Sequence, residues 1–479
     1  MLHSTTFGHA SLLHQSVDSR RFEFRVTDTP TRYSLKATVN SREDTHVPSK
    51  RFSELVVASL IVLVGTLASA PPALAASKEK VLWAFNYADG NEPNGGLVMD
   101  SLGSLYGTTH LGGGPNGGLV FELARENDGS WTEKEIHVFG GSDGNVPEAG
   151  VIFDAAGTLY GTTAGGGAYN GGVVFQLSPG ANGTWSERVL HNFGSGNDGI
   201  GPSGGLILDK EGNLYGTATF GGVGGSCYRG CGIVFQLKRC KNGRWTERIL
   251  HAFTNNYADG CYPSATLTID ATGKLYGTTA GGGRYSCPGS DQGCGTVFEL
   301  APCRNGKWKE RVIHSFNGND GFFPFGAPLV LRSGKLYGTA PLGGKCTDGC
   351  GVVFEITHCR GGKWRERVLH AFDRGGLPDG VIFDASGNLY GTTGHGGRFN
   401  TNDACVNLGC GRAYELNPSS DGNWTLRCLH QFGGPGDGIL PIGNLIFDTA
   451  GNLYGMTEGD LKLNCGPTEG CGAVFEITP

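Results

Sequence analysis

Short hydrophobic stretches, some of them alternating with polar residues, recur along most of the chain and are separated by glycine-rich turns. In one stretch, hydrophobic and polar residues alternate over 131–139, and three short apolar segments follow at 150–154, 159–163 and 173–177. Segments of this length bounded by turn residues predict β-strands. Four such strands joined by short turns predict one four-stranded antiparallel sheet.

This four-strand pattern is repeated. The phrase Leu-Tyr-Gly occurs seven times, at intervals of 53 to 64 residues, and its tyrosines are Tyr106, Tyr160, Tyr215, Tyr276, Tyr337, Tyr390 and Tyr454. A period of about fifty residues is typical of propellers and solenoids, in which each unit buries its apolar face against its neighbours. The sequence therefore predicts one repeat domain over 80–479.

The two ends of the repeat region indicate how it closes. Residues 81–85 match the last strand of a unit but follow no unit, whereas the final copy ends at 474–478 and lacks that strand. If the first strand completes the last sheet, two exposed strand edges disappear. We therefore predict an all-β fold, a kelch-like or NHL-like seven-bladed β-propeller of four-stranded antiparallel blades, closed by an N-terminal strand that completes the last blade. An open solenoid is the alternative.

Two smaller patterns recur within the units. Asp154-x-x-Gly157 predicts a turn in which the aspartate accepts backbone N–H groups and glycine takes positive φ. Its other copies begin at Asp100, Asp209, Asp270, Asp384 and Asp448. The fifth unit has Arg332 in place of the aspartate. Six units also carry a His-x-Phe ending whose two side chains share one face of a strand, which favours packing between blades.

Composition and the leader indicate where the protein works. The net charge of −6 argues against nucleic acid or an anionic membrane as the main partner.

Residues 50–75 are predicted to be a signal peptide. Lys50 and Arg51 precede the apolar run 55–70, and Ala73-Leu74-Ala75 offers a cleavage site. A membrane anchor is the alternative; after cleavage we expect no membrane span. Residues 1–49 form a leader of uncertain status, and the predicted location is extracellular or periplasmic.

Fifteen cysteines in an exported chain favour a disulfide framework. Five pairs lie in loops between the second and third strands, and we predict a local disulfide in each: Cys227–Cys231, Cys287–Cys294, Cys346–Cys350, Cys405–Cys410 and Cys465–Cys471. A zinc site is the competing interpretation, which the oxidising compartment and the variable spacing disfavour. The partners of five further cysteines stay open: Cys240, Cys261, Cys303, Cys359 and Cys428.

Asp-Gly dipeptides recur in the loops that enter the inner strands. Their aspartates are Asp89, Asp143, Asp198, Asp259, Asp320 and Asp437. In a propeller these loops share one rim with the loops joining the second and third strands, so the carboxylates form a candidate ring for Ca²⁺ or a polyhydroxylated ligand such as a glycan. A purely structural turn is the stronger alternative. No other cofactor or metal is expected.

Catalysis would require residues that differ from those at the equivalent positions of the other units, because equivalent positions around a ring cannot converge on one substrate. The weak candidates are His110, His395, Glu458 and Asp460, and the ring of His395, placed between two glycines, is expected to be poorly shielded. No pair among them has a spacing that identifies a nucleophile, a metal triad or a carboxylate pair.

The full repeat phrase also resembles a known family. Units built on GLxxDxxGNLYGTTxxGG, GxVFxL and VLHxF resemble the GloVer-type, or choice-of-anchor, tandem repeats of secreted bacterial proteins, with close copies at 209–217, 384–393 and 448–457. The resemblance implies an extracellular or periplasmic location and implies no reaction. Because nothing follows Pro479, we expect free secretion rather than attachment.

Three functions are compatible with these observations. The leading hypothesis is an extracellular binding or adhesion module that recognises a glycan or a protein. The alternatives are a propeller-type polysaccharide lyase or hydrolase, and a purely structural surface protein. Equivalent residues from every blade at the channel mouth would favour binding or scaffolding, whereas unique polar residues converging there would favour an enzyme.

Overall fold

The computed structural model describes residues 77–114, 117–223, 227–254, 259–287, 292–346, 350–373, 375–397, 405, 408–434, 436–460 and 471–479. The predicted leader and signal peptide, 1–49 and 50–75, lie outside these residues. Within the described residues the regular structure is almost entirely β-strand, with a 3₁₀ turn at Ala181–Gly183 and no α-helix. Nothing in this described part is a helix with the length and apolar character needed to span a bilayer.

Seven four-stranded antiparallel sheets form the blades of a β-propeller, and each blade runs from an inner to an outer strand. Blade 1 comprises β2 (Asn91–Met99), β3 (Leu105–Leu111), β4 (Leu119–Arg125) and β5 (Trp131–Val138). Blade 2 comprises β6 (Ile152–Phe153), β7 (Leu159–Thr163), β8 (Val173–Pro179) and β9 (Trp185–Asn192). Blade 3 comprises β11 (Ile207–Leu208), β12 (Leu214–Ala218), β14 (Ile233–Arg239) and β15 (Trp245–Ala252).

The other four blades follow the same order. Blade 4 comprises β17 (Thr268–Ile269), β18 (Leu275–Thr279), β20 (Thr296–Pro302) and β21 (Trp308–Ser315), and blade 5 comprises β22 (Val330–Arg332), β23 (Lys335–Ala340), β24 (Val352–His358) and β25 (Trp364–Ala371). Blade 6 comprises β26 (Pro378–Phe383), β27 (Leu389–Thr393), β28 (Arg412–Pro418) and β29 (Trp424–Gln431). Blade 7 comprises β30 (Gly438–Phe447), β31 (Leu453–Asp460), β32 (Ala473–Thr478) and β1 (Lys78–Ala84). Two short ribbons, β10 (Gly199–Ile200) with β13 (Phe220–Gly221) and β16 (Gly260–Cys261) with β19 (Gly281–Gly282), extend blades 3 and 4.

The N-terminal strand closes the ring, as predicted. β1 pairs with β32 in antiparallel register from Lys78 opposite Thr478 to Ala84 opposite Ala473. Trp131 of blade 1 also packs edge-on against Tyr454 of blade 7, with ring centroids 6.4 Å apart. The fold class is therefore the predicted seven-bladed propeller, and the solenoid alternative is wrong.

The four predicted strands are present, but they do not share one sheet: 131–139 corresponds to β5, the outer strand of blade 1, whereas the other three lie in blade 2. Their lengths also differ, since β5 ends at Val138 and β8 extends to Pro179. β7 covers the predicted 159–163, but the inner strand β6 is limited to Ile152–Phe153 instead of 150–154. A Cβ on Gly150 would lie 2.4 Å from the carbonyl oxygen of Gly96. At this point the chain packs against the neighbouring blade and does not continue the ladder.

The core lies between the blades. Phe139, which follows the outer strand of blade 1, packs edge-on against Phe175 of blade 2 at 5.0 Å. Tyr106 of blade 1 likewise contacts Trp185 on the outer strand of blade 2 at 6.3 Å. His137 packs edge-on against Phe139 on the same strand face. The His-x-Phe ending therefore serves inter-blade packing, as its spacing predicts.

Candidate functional site

One face of the propeller carries two sets of loops that contact each other. Asn145, in the loop entering blade 2, exchanges backbone hydrogen bonds of 3.0 and 3.1 Å with Gly165, in the loop between β7 and β8. Gly167 of the second loop also donates to the carbonyl of Gly141 in the first. We call the surface formed by these two sets of loops the loop face. It corresponds to the rim predicted from the sequence.

The Asp-Gly aspartates lie on this face but point into their own turns. Asp143 lies 3.0 Å from His137 Nε2 and accepts the backbone N–H of Gly140 at 2.8 Å. The same His–Asp contact spans 2.9 to 3.4 Å in four further loops, at His191–Asp198, His251–Asp259, His314–Asp320 and His430–Asp437. In the loop entering blade 1 the histidine position is Trp83, and Asp89 accepts from Asn86 instead.

These contacts explain why Asp-Gly recurs. Each carboxylate satisfies a backbone donor in a tight turn, and all except Asp89 also lie beside the imidazole that closes the preceding outer strand. Four of the repeated histidines, His137, His191, His251 and His430, thus have a hydrogen-bonded ring nitrogen, as expected for packing groups. A direct role of the aspartates in ligand binding stays a prediction.

A glutamate from the next blade approaches each of these turns, and sequence reasoning missed it. Glu187 of β9 lies near Asp143, and burial together with the Asp143 charge raises its pKa to about 7. Burial and the charge of the aspartate in the facing Asp-Gly turn likewise raise the pKa of five other glutamates, with smaller contributions from a histidine or another glutamate at some sites. The pKa rises to about 7 for Glu79, Glu133, Glu247 and Glu310, and to about 8 for Glu366. The signal was present as a recurring Trp-x-Glu at the start of the outer strands.

Exposed tyrosines form the second feature of the loop face. Tyr169, Tyr228 and Tyr285 lie in the loops between the second and third strands of blades 2, 3 and 4, and their exposed fractions are 58%, 74% and 50%. Tyr87, in the loop entering blade 1, is 50% exposed. Most large hydrophobic side chains of the described residues are buried, so aromatic rings gathered on one face indicate a contact surface.

A cavity of about 50 Å³ lies on the ring axis, where the segments leading into the inner strands of all seven blades meet. The cavity is narrow because the backbones of these segments are in close contact. For example, a Cβ atom added to Gly95 would lie only 2.1 Å from the backbone nitrogen of Gly150. Its polar lining differs from blade to blade and comprises Asn94, Glu148, Ser203, Thr266, Asp379 and Asn444. Unique polar residues therefore do converge on the channel.

Blade 6 contributes the least typical groups near this cavity. Asp379 accepts the backbone N–H of Gly443 at 2.7 Å, and burial raises the pKa of this carboxyl. Tyr414 is fully buried at a position that is phenylalanine in the other blades, and its hydroxyl has no hydrogen-bond partner among the described residues. Burial, with the nearby Asp379 charge, raises the pKa of that phenol.

The weak catalytic candidates are spread over three blades: His110 lies in blade 1, His395 in blade 6, and Glu458 and Asp460 in blade 7. The expectation of a poorly shielded His395 is wrong: the side chain is 8% exposed, its Nδ1 lies 3.2 Å from the Gly409 carbonyl oxygen, and burial lowers its pKa. His110 is half-buried on β3, and Glu458 is half-buried on β31. Asp460 ends β31, and its side chain is outside the described part. Their catalytic role stays a prediction.

Four of the predicted disulfides are present: Cys227–Cys231, Cys287–Cys294, Cys346–Cys350 and Cys405–Cys410. Cys471 is also disulfide-bonded, whereas its predicted partner Cys465 lies outside the described residues. The zinc interpretation is wrong for the four bonded pairs, because their thiolates are consumed. Among the cysteines that the structure describes, five are free thiols: Cys240, Cys261, Cys303, Cys359 and Cys428.

Comparison with known proteins agrees with this architecture. The family model of the Gloeobacter/Verrucomicrobia repeat matches residues 65–288 and 224–403. The chain therefore belongs to this repeat family, which confirms the resemblance found in the sequence. No curated protein matches the chain.

Several solved structures are similar in fold. They include a catalytically inactive virginiamycin B lyase from Staphylococcus aureus with quinupristin (15% identity, 84% of this chain and 99% of that chain, TM-score 0.44). A putative gluconolactonase is 12% identical, with 84% of this chain and 92% of that chain covered and a TM-score of 0.39. A putative oxidoreductase (glucose dehydrogenase) from Thermus thermophilus is 14% identical, with 84% of this chain and 100% of that chain covered and a TM-score of 0.39. At these identities and TM-scores no activity is carried over from them.

Proposed function

We propose that this protein is an exported propeller that binds an extracellular glycan through its loop face. The observation that carries the proposal is the set of three exposed tyrosines, Tyr169, Tyr228 and Tyr285, in corresponding loops of consecutive blades. A tyrosine ring offers an apolar surface to the C–H face of a sugar, while its hydroxyl and nearby backbone groups meet the sugar hydroxyls. Three such rings on one rim suit an extended polymer.

The disulfides support this use of the loops. Tyr228 lies inside the short loop closed by Cys227–Cys231, and Tyr285 precedes the loop closed by Cys287–Cys294. Bridges of this kind reduce the conformational freedom that binding would otherwise remove, so the rings are held ready for a ligand. Several disulfides in one chain also favour an oxidising, extracytoplasmic compartment.

Affinity electrophoresis tests the proposal directly. The full chain is run in native gels with and without soluble xylan, β-glucan, alginate or pectin, in the presence and absence of Ca²⁺. We expect at least one polymer to retard the protein, and we expect the triple variant Tyr169→Ala, Tyr228→Ala, Tyr285→Ala to raise the apparent Kd by about tenfold or more, the factor that corresponds to 1.4 kcal/mol. Normal mobility in every gel would argue against glycan binding.

Leu102→Ala is a matched control. Leu102 is the most exposed large hydrophobic residue described, at 88%, but it lies in the turn between β2 and β3, on the opposite face. Its removal should leave retardation unchanged. Equal loss of binding in this variant would show that general surface hydrophobicity, and not the loop face, retards the protein.

One observation favours an enzyme as the second candidate function. The polar groups that line the channel are not the same in every blade, and they include two carboxylates, Glu148 and Asp379. Burial raises the pKa of Asp379, which is the property of a general acid in polysaccharide hydrolysis or lysis. New reducing ends or unsaturated products released by the wild type but not by Asp379→Asn would support this candidate; products released equally by both would exclude this site.

A further inference from the structure

Three seams between blades each bring together one imidazole and two carboxylates. Within each group the potential ligand atoms all lie within 4.8 Å of one another, and the groups are Glu79 with His430 and Asp437, Glu310 with His251 and Asp259, and Glu366 with His314 and Asp320. The histidine ends the outer strand of one blade, the aspartate lies in the following loop, and the glutamate comes from the outer strand of the next blade. Each cluster therefore joins two blades.

The cluster between blades 6 and 7, which includes Glu79 of the closing strand β1, has the clearest geometry. Asp437 Oδ2 lies 2.9 Å from His430 Nε2, and the Asp437 side chain is only 6% exposed. The second oxygen of Asp437 and the Oε1 atom of Glu79 are both buried and have no hydrogen-bond partner among the described residues. A buried carboxylate oxygen without a donor is costly, so a proton or a cation is needed between these two groups.

The other two clusters share the unpartnered glutamate oxygen, whereas both oxygens of Asp259 and of Asp320 accept hydrogen bonds within their own loops. Asp259 is 7% exposed, and the Oε1 atoms of Glu310 and Glu366 are buried without a described partner. The ligand atoms of a tetrahedral site with bonds of about 2.0–2.2 Å lie about 3.3–3.6 Å apart. Around an ion, ligand atoms that are now up to 4.8 Å apart would have to move closer, and the His430 and Asp437 atoms, now 2.9 Å apart, would have to move slightly apart.

Two other seams lack part of the set. At the seam between blades 5 and 6, Leu426 occupies the position of the glutamate in the outer strand. At the seam between blades 7 and 1, Trp83 occupies the position of the histidine, although Glu133 and Asp89 are both present. These seams cannot offer the same three ligands and supply internal controls.

The ligand types indicate the class of ion. Calcium and magnesium prefer shells made entirely of oxygen, whereas an imidazole nitrogen with two carboxylates suits a divalent transition ion. Zinc accepts His, Asp and Glu in tetrahedral sites and leaves the fourth position for water. We propose that these three seams are zinc sites, and that the site at Glu79 fastens the N-terminal strand β1 to the loop between blades 6 and 7.

Isothermal titration with ZnCl₂ tests this inference on the untagged full chain, after its free thiols have been alkylated. We expect the wild type to bind at least three equivalents and the triple variant Glu79→Gln, Glu310→Gln, Glu366→Gln to bind three fewer. Glutamine has the shape of a protonated glutamate, so the variant preserves packing if these groups hold only a proton. A titration with CaCl₂ should give no comparable binding.

The control variant is Glu133→Gln, at the seam that has Trp83, and it should bind as much zinc as the wild type. Anomalous diffraction at the zinc edge from wild-type crystals gives a second readout that needs no variant, with peaks expected at the three clusters. The proposal is overturned if the wild type binds no zinc, if the triple variant loses fewer than three equivalents, or if no peak appears at the clusters.

Discussion

The hydroxyl of Tyr160 donates a 3.1 Å hydrogen bond to Asp154 Oδ2, while Oδ1 of the same aspartate accepts the backbone N–H groups of Ala156 and Thr158 at 2.9 Å. Gly157 in this turn has φ of +79°. The repeated Leu-Tyr-Gly and Asp-x-x-Gly phrases are therefore one structural unit. The same pair occurs at Tyr106–Asp100, Tyr215–Asp209, Tyr276–Asp270, Tyr390–Asp384 and Tyr454–Asp448, with O···O distances of 2.9 to 3.4 Å.

Removing either partner of this pair should weaken the fold. We expect Asp154→Ala to lower the free energy of unfolding by about 1–2 kcal/mol, because two backbone donors and the tyrosine lose an acceptor, and Tyr160→Phe to lower it by about 1 kcal/mol. Since the two changes share one bond, the double variant should lose less than the sum. Urea denaturation of the four proteins checks this, and strict additivity would show that the bond contributes nothing.

The strand pattern was predictable from the sequence, and the contacts between blades only partly so. The period of Leu-Tyr-Gly predicts the number of blades, and the matching ends at 81–85 and 474–478 predict the closure, because both depend on local strand patterns. The recurring Trp-x-Glu marks Glu187 in the sequence, but its approach to Asp143 joins different blades and is not part of any local pattern. Burial of His395 was likewise missed, since it depends on the Gly409 segment, whose carbonyl oxygen lies 3.2 Å from His395 Nδ1.

Stability should fall as the pH rises from about 4.5 to about 7. Burial and the facing Asp89 raise the pKa of Glu133 from 4.5 to about 7, and its five counterparts behave alike. In this range the folded state holds more protons than the unfolded chain, so deprotonation favours unfolding. We expect Glu133→Gln, measured with EDTA present, to be more stable than the wild type at pH 8 and to show a smaller change between pH 5 and pH 8.

The exposed Glu126, in the turn after β4, provides the control for this experiment. Glu126→Gln should leave the pH dependence of the urea midpoint unchanged. A Glu133→Gln protein with the same pH profile as the wild type would contradict the assignment of this titration to the inter-blade glutamates.

Tyr414→Phe should preserve or increase stability. Phenylalanine occupies the corresponding position in the other blades, and the change removes a buried hydroxyl that has no described hydrogen-bond partner. We expect a gain of up to about 1 kcal/mol in the free energy of unfolding, observed as a higher Tm by calorimetry. A loss of more than about 1 kcal/mol would show that this hydroxyl makes a stabilising bond.

Alkylation of the unreduced, denatured protein should modify five cysteines and leave the loop cysteines unmodified. The expected sites are Cys240, Cys261, Cys303, Cys359 and Cys428. Peptide mass spectrometry identifies them, and reduction before alkylation is the control that exposes the rest. Label on Cys287 or Cys294 without reduction would contradict the pairing.

Closure of the ring by the first strand is tested most directly by amide hydrogen exchange. Residues 78–84 pair with β32 along their length, so their bonded amides should exchange within about tenfold of the rate of those in β32 and far more slowly than loop amides. Rapid exchange throughout 78–84, with β32 still protected by β31, would contradict the closure.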